Sequence, residues 1–387
     1  MIAPSNSLLQ GIERLLPTYA RADLTIARGE GARVWDSDGC EYLDFGGGIA
    51  VVSLGHCHAA PLAAAREQLG RLWHASNLYR TEPAEELAAR LSERFDGAQA
   101  FFCNSGAESI EAALKYARKA TGRPGVVALE GSFHGRTLGA LSVTGQPAKR
   151  ETFAPLVPGV RFVPPNDVAA LEAAVDDEVG LILLEPILGE GGVIPLDVEF
   201  VAAAAALAPL LGLDEIQTGV GRTGSFFGFE QLDVRPDLVT LAKGLANGLP
   251  IGALLVADDV SGAFAPGDHG STFGGNPVSC AAASAVVHAI DEELLGRVAA
   301  QGAALAEGLT ALPGVVEVRG RGLLLGAVVD RAASEIVEAC RERGLLVLTA
   351  GDDVVRLAPP LTIGDEDVDE ALAIMASAVG ADSPSTK

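Results

Sequence analysis

The stretch Leu238-Val-Thr-Leu-Ala-Lys-Gly-Leu-Ala-Asn-Gly248 sets a lysine, Lys243, directly after an apolar run that reads as a buried strand, and two glycines follow it. Burial disfavours the ammonium form, so a lysine in that place tends toward the neutral amine that condenses with aldehydes. A lysine that merely surfaces at a strand end fits the same residues equally well. A second landmark lies 29 residues earlier, where Asp214 follows Leu210-Leu-Gly-Leu213 in the same manner. Acid and amine at the ends of two buried strands together predict a cofactor pocket at the edge of a sheet.

Working outward, Val126 to Leu129, Val179 to Leu184, Leu210 to Leu213, Leu238 to Ala242 and Ile251 to Ala257 read as strands alternating with helical stretches. That alternation predicts an α/β fold, a mostly parallel sheet covered by helices. After about residue 283 the texture changes to hairpin-like segments, Val315 to Leu325 and Leu345 to Leu357, with helices Ala332 to Arg343 and Asp365 to Val379. The expected organisation is an N-terminal segment, 1–48, packed with a small C-terminal α+β domain, 283–380, and a large domain, 49–282, between them. Residues 381–387 read as a disordered tail.

With 387 residues, 49% apolar and 20% charged, the chain can bury a large core and is not of the disordered class. A formal charge of -23 repels phosphate backbones, so nucleic-acid binding is not expected, and any anionic substrate must be held by a few well-placed arginines. Arg136 and Arg356 are candidates. Cys40, Cys57, Cys103, Cys280 and Cys340 are scattered and odd in number, without the paired spacing of a metal site, which predicts a reduced, cytoplasmic protein. The N-terminus does not read as a signal peptide, and the longest apolar stretch, Val201 to Leu213, is too short for a membrane span.

Several segments carry chemistry. Asn104-Ser-Gly-Ala-Glu108 opens a helix striped by Ile110, Ala113, Leu114 and Ala117 and ended by Gly122. Its small residues would let backbone amides approach a phosphate, although Ser105 and Glu108 also form a capping box that needs no ligand. In Gly131-Ser-Phe-His-Gly-Arg-Thr137, Phe133 could stack on a planar group and Arg136 could take a carboxylate, while His134 reads as structural. Glu190, set between glycines, could partner an arginine or be a solvated loop residue. Asp214-Glu-Ile-Gln-Thr-Gly-Val-Gly-Arg-Thr-Gly224 is the most specific segment, and Ser271-Thr-Phe-Gly-Gly-Asn-Pro277 alone reads as a loop.

With these segments in this order, from about Tyr19 to Pro360, the chain resembles the class III (ornithine-type) aminotransferases, pyridoxal-phosphate enzymes of fold type I. The resemblance implies a Schiff base between Lys243 and the cofactor aldehyde, and Asp214 paired with the pyridinium nitrogen. It further implies Gln217 at the ring's phenolic oxygen, Phe133 and Ile216 on its two faces, and Ser105, Gly106 and Ala107 at the phosphate. Thr272 would come from the neighbouring subunit of a homodimer with shared active sites. Arg136 resembles the arginine for the α-carboxylate of an acylated diamine and the side-chain carboxylate of glutamate. Arg356 resembles that for glutamate's α-carboxylate, and Glu190 the carboxylate that masks it while the ω-amino donor is bound. The implied partners are a small-molecule amino donor and 2-oxoglutarate.

Two departures accompany the resemblance. Val52 stands where the family usually has asparagine, and the approach to Asp214, Phe200 to Leu213, is several residues short. The absence of the tyrosine that ornithine-specific members carry near Ile49 favours an acylated donor. Enzymes acting on carrier-linked aminoadipate semialdehyde, succinylornithine, 4-aminobutyrate or ornithine share the same cofactor residues, and so does an aminomutase of the glutamate-1-semialdehyde type.

Overall fold

The computed structural model describes residues 15–380, so the tail expected at 381–387 lies outside the described residues. Its centre is a seven-stranded sheet in the order Gln99–Cys103, Gly252–Val256, Leu238–Leu241, Leu211–Asp214, Val179–Leu184, Gly125–Leu129, Val160–Val163. Only Gly252–Val256 runs against its neighbours; the remaining strands are parallel, joined by crossovers. The inner strands are buried throughout, as continuous apolar runs in a sheet covered on both faces must be. Leu211–Asp214 is four residues long yet hydrogen bonds to both neighbours, so the short approach to Asp214 leaves the sheet continuous.

Parallel strands deliver their carboxyl ends to one edge. Cys103 leads into Asn104-Ser105, Leu129 into the loop of Phe133 and Arg136, Leu184 into Glu185, and Leu241 into Lys243, while Asp214 closes its own strand. The edge of an open α/β sheet where strands end is where ligands bind.

Two smaller sheets flank this one. Ile26–Glu30, Arg33–Asp36 and Glu41–Asp44 form antiparallel pairs, and Leu345–Leu346 adds to Glu41–Asp44 in parallel, so the two ends of the chain share a sheet. The C-terminal sheet pairs Val315–Arg321 with Leu324–Val329, and Leu324–Val329 with Val354–Leu357. Arg356 is on that last strand and is only 3% exposed. Arg222, from the loop after Asp214, reaches across to donate to the carbonyls of Leu323 and Pro359, tying this sheet to the central one.

Candidate active site

A cavity of about 430 Å³ opens at the carboxyl edge of the central sheet. Ser105, Gly106, Ala107, Phe133, Arg136, Asp214, Ile216, Gln217 and Lys243, drawn from four separate segments, all line it.

Lys243 enters from the turn after Leu238–Leu241 with φ 39°, a left-handed conformation costly for a residue with a side chain. The turn is held from outside: Ser53 Oγ donates to the Gly244 carbonyl at 2.8 Å, and the Asn247 amide bonds Leu54 N and Gly55 O. The Lys243 side chain keeps some accessibility because it faces the cavity. Protein atoms nonetheless surround it closely enough that burial pushes its pKa down to about 8, with Arg356 adding to the effect and Glu190, Asp214 and Glu185 opposing it.

Asp214 is oriented on three sides. Oδ2 meets His134 Nδ1 at 2.7 Å, while Oδ1 accepts from Ile216 N at 3.0 Å and Thr240 Oγ1 at 3.3 Å. Burial alone would depress the His134 pKa, but the Asp214 and Glu185 carboxylates outweigh it and raise it. Of the two histidine nitrogens, Nε2 is buried without a partner among the described residues. The histidine read as structural is thus the partner that aims Asp214. No spacing pattern could show this, because 80 residues separate the two.

The Asn104–Glu108 segment caps its helix much as expected, with one difference. Ser105 Oγ accepts from Glu108 N at 3.3 Å, but the Glu108 carboxylate returns to Asn104 N, one residue before the cap. The amides of Gly106 and Ala107, first in the helix Gly106–Thr121, have no partner within it. A Cβ on Gly106 would come within 2.7 Å of Ile216 Cδ1, so glycine here keeps the cradle open.

Arg356 donates to Glu190 Oε1, to Gly189 O at 3.0 Å and to Gln217 Oε1 at 3.1 Å. Burial would raise the Glu190 pKa, but Arg356 and Lys243 together hold it below the usual carboxylate value. With Oε1 committed to the arginine, Gln217 presents its amide Nε2 as the free donor. Glu185, which sequence reasoning passed over, bridges two of these loops by accepting from Phe133 N at 2.8 Å and Gly189 N at 3.2 Å. Its burial pushes the carboxyl up to about 7.

Thr272 is not brought into this cavity. It is exposed, next to exposed Phe273, on a loop anchored by Asn104 Nδ2 to Ser271 Oγ at 3.1 Å and by Asn77 Nδ2 to Ser271 O at 2.9 Å. Val52 lies against Gly248 at the cavity rim, 3.9 Å from the position of a Cβ there.

The chain belongs to the class-III aminotransferases, whose family model matches residues 17–379. It is a pyridoxal-phosphate-dependent aminotransferase. It is 49% identical to the acetylornithine aminotransferase of Methanopyrus kandleri over 94% of this chain and 96% of that protein. The ornithine aminotransferase of Toxoplasma gondii superposes with a TM-score of 0.90 at 34% identity, covering 95% of this chain and 92% of that one. The N-acetylornithine aminotransferase of Stenotrophomonas maltophilia gives a TM-score of 0.80 at 39% identity, covering 93% and 96%.

The residues present fit this cofactor. An amine with depressed basicity, a buried oriented carboxylate and a helix N-terminus with free amides face one cavity, matching in turn an aldehyde, a ring nitrogen and a phosphate.

Proposed function

We propose that this enzyme moves the 5-amino group of N2-acetyl-L-ornithine to 2-oxoglutarate, giving N-acetylglutamate 5-semialdehyde and glutamate, a step of arginine biosynthesis. The observation that carries this reading is the unequal state of two arginines. Arg356 is buried and masked by Glu190, whereas Arg136, at the cavity wall, has no hydrogen bond or ion pair among the described residues. A site with one free and one covered arginine favours a donor with a single carboxylate far from its reacting amine. The names and identities of the relatives support the same donor. Arg136 also borders a second cavity of about 600 Å³, lined by Thr18, Tyr19, Leu138, Leu141 and Phe153, which offers an acyl group largely apolar surroundings.

In this reading Lys243 would hold the cofactor through its aldehyde, and its amine, depressed to about 8, would accept and return the proton of the donor's terminal carbon. Asp214, aimed by His134, would keep the ring nitrogen protonated. Gln217 would donate to the phenolic oxygen, Phe133 and Ile216 would hold the ring between them, and Ser105, Gly106 and Ala107 would receive the phosphate. When bound, the cofactor supplies an aldehyde for the amine and a ring that delocalises the electron pair left by the departing proton. Arg136 orients the donor by its α-carboxylate, so the free ω-amine is directed toward Lys243; the acylated α-nitrogen is an amide and does not react. When 2-oxoglutarate replaces the first product, Glu190 withdraws and Arg356 receives the carboxylate next to its keto carbon, which becomes the α-carboxylate of glutamate.

A cytoplasmic homodimer belongs to this proposal. Thr272 points outward beside Phe273, near exposed Trp73, Leu78 and Tyr79, an apolar surface suited to a second copy whose cavity Thr272 would complete. Among the described residues no helix is long and apolar enough to cross a membrane.

The two-substrate switch is tested by Glu190→Ala. Uncovered, Arg356 attracts the α-carboxylate of glutamate, so the glutamate half-reaction survives or improves while the acetylornithine half-reaction falls. A charged hydrogen bond to carboxylate is worth about 1.5–3 kcal/mol, so the preference between donors moves by roughly ten- to a hundredfold. Arg356→Ala damages mainly the glutamate half. Single-turnover rates with each donor provide the measurement, and equal losses in both halves of Glu190→Ala would reduce that residue to a loop support.

A further inference from the structure

Lys149 is a half-buried ammonium with no carboxylate partner among the described residues of a chain that carries 51 acidic against 28 basic residues. Among the described residues its one hydrogen bond goes to the neutral Oε1 of Gln146. By contrast, Lys119, on the surface of the same domain, is paired with Asp268.

The position of Lys149 is set by the substrate loop. Gln146 Nε2 donates to the carbonyls of Gly131 at 3.0 Å and Ser132 at 3.4 Å, so the residues just before Phe133 fix the side chain that holds the lysine. Lys149 Nζ thereby stands 5.0 Å from the centroid of the Phe133 ring, and Arg136 Cζ stands 5.5 Å from the same centroid. Burial lowers the Lys149 pKa; Arg136 and Arg356 lower it further, against Glu190 and Glu185, so the charges it feels are those of the active site. Two cations on one aromatic ring, neither with a carboxylate partner among the described residues, repel each other, and an anion arriving between them relieves that repulsion while forming two charge-assisted contacts. The segment continues through Lys149 to Phe153, which lines the outer cavity beside Arg136.

We propose that Lys149 is the second cation of the carboxylate subsite, closing with Arg136 on the α-carboxylate of the acylated diamine in one half-reaction and on the distal carboxylate of 2-oxoglutarate in the other. This rests on the reading of Arg136 given above. The subsite is then a clamp of two cations, which in so acidic a protein gives the carboxylate a local positive well.

The test uses the holoenzyme with Lys149→Met and Lys149→Arg. N-acetylputrescine is the same donor without its carboxylate. The preference of kcat/KM for N2-acetylornithine over N-acetylputrescine falls about tenfold in Lys149→Met and is retained in Lys149→Arg, because a structural loss would lower both donors together. Glutarate binding, followed by calorimetry, weakens by a similar factor in Lys149→Met and needs no turnover. An unchanged preference together with an unchanged glutarate affinity would overturn the clamp. If the parent enzyme does not use N2-acetylornithine, yet Lys149→Met still weakens glutarate, the clamp stands and the functional reading falls.

Discussion

Lys243→Ala is expected to lose about a thousandfold or more of its turnover in both half-reactions while its circular-dichroism spectrum remains that of the parent. The size follows from position: this amine lines the same cavity as Asp214, and its basicity is depressed to about 8, so near neutral pH it can accept and return protons. Borohydride reduction of the holoenzyme followed by peptide mapping should find the cofactor on Lys243. An adduct on Lys115 or Lys149 instead would remove the assignment, and loss of the fold in Lys243→Ala would make the residue structural.

The same side chain has the opposite effect on the stability of the cofactor-free protein. Burial depresses its pKa to about 8 from an ordinary 10.5. Below about 8 the group is charged in both folded and unfolded chains, and the folded state bears the cost of burying it. As pH climbs from there to 10.5 the unfolded chain binds more protons, so stability rises with pH and the handicap disappears. Lys243→Met therefore raises the melting temperature of the cofactor-free protein most below pH 8, with an advantage that fades toward pH 10.5. An advantage constant across that range would assign the gain to packing.

Asp214→Asn is expected to slow the chemical step by about a hundredfold or more and to weaken cofactor binding. The carboxylate is held by His134, Ile216 N and Thr240, so the amide can occupy the same space, and what changes is the charge available to a ring nitrogen. His134, deprived of its anionic partner, loses the main influence that raises its pKa. A near-normal single-turnover rate in Asp214→Asn would move the role to another carboxylate, with Glu185, buried and lining the same cavity, the first candidate.

The inner strands were readable because they are buried on both faces and appear as uninterrupted apolar runs. Gln99–Cys103 and Val160–Val163 were not, and they are the two partly exposed edges of the sheet, where the apolar run is short, starting after Gln99 in one and interrupted by Arg161 in the other. The direction of Gly252–Val256 was equally hidden, since a buried run looks the same whichever way it points. In the site, residues placed by strand ends and loops, Asp214, Lys243, Phe133 and Arg136, were accessible to sequence reading. His134, Glu185 and Lys149 were not, because each has meaning only through a partner brought close by folding: Asp214, the amides of Phe133 and Gly189, and the Phe133 ring.

The most direct measurement supplies the holoenzyme with 2-oxoglutarate and, in separate reactions, N2-acetylornithine, succinylornithine, ornithine and 4-aminobutyrate, and follows glutamate and the matching semialdehyde. The highest kcat/KM is expected for N2-acetylornithine, with one glutamate formed per semialdehyde. A higher kcat/KM for ornithine or 4-aminobutyrate, or product formed without consumption of 2-oxoglutarate, would contradict it.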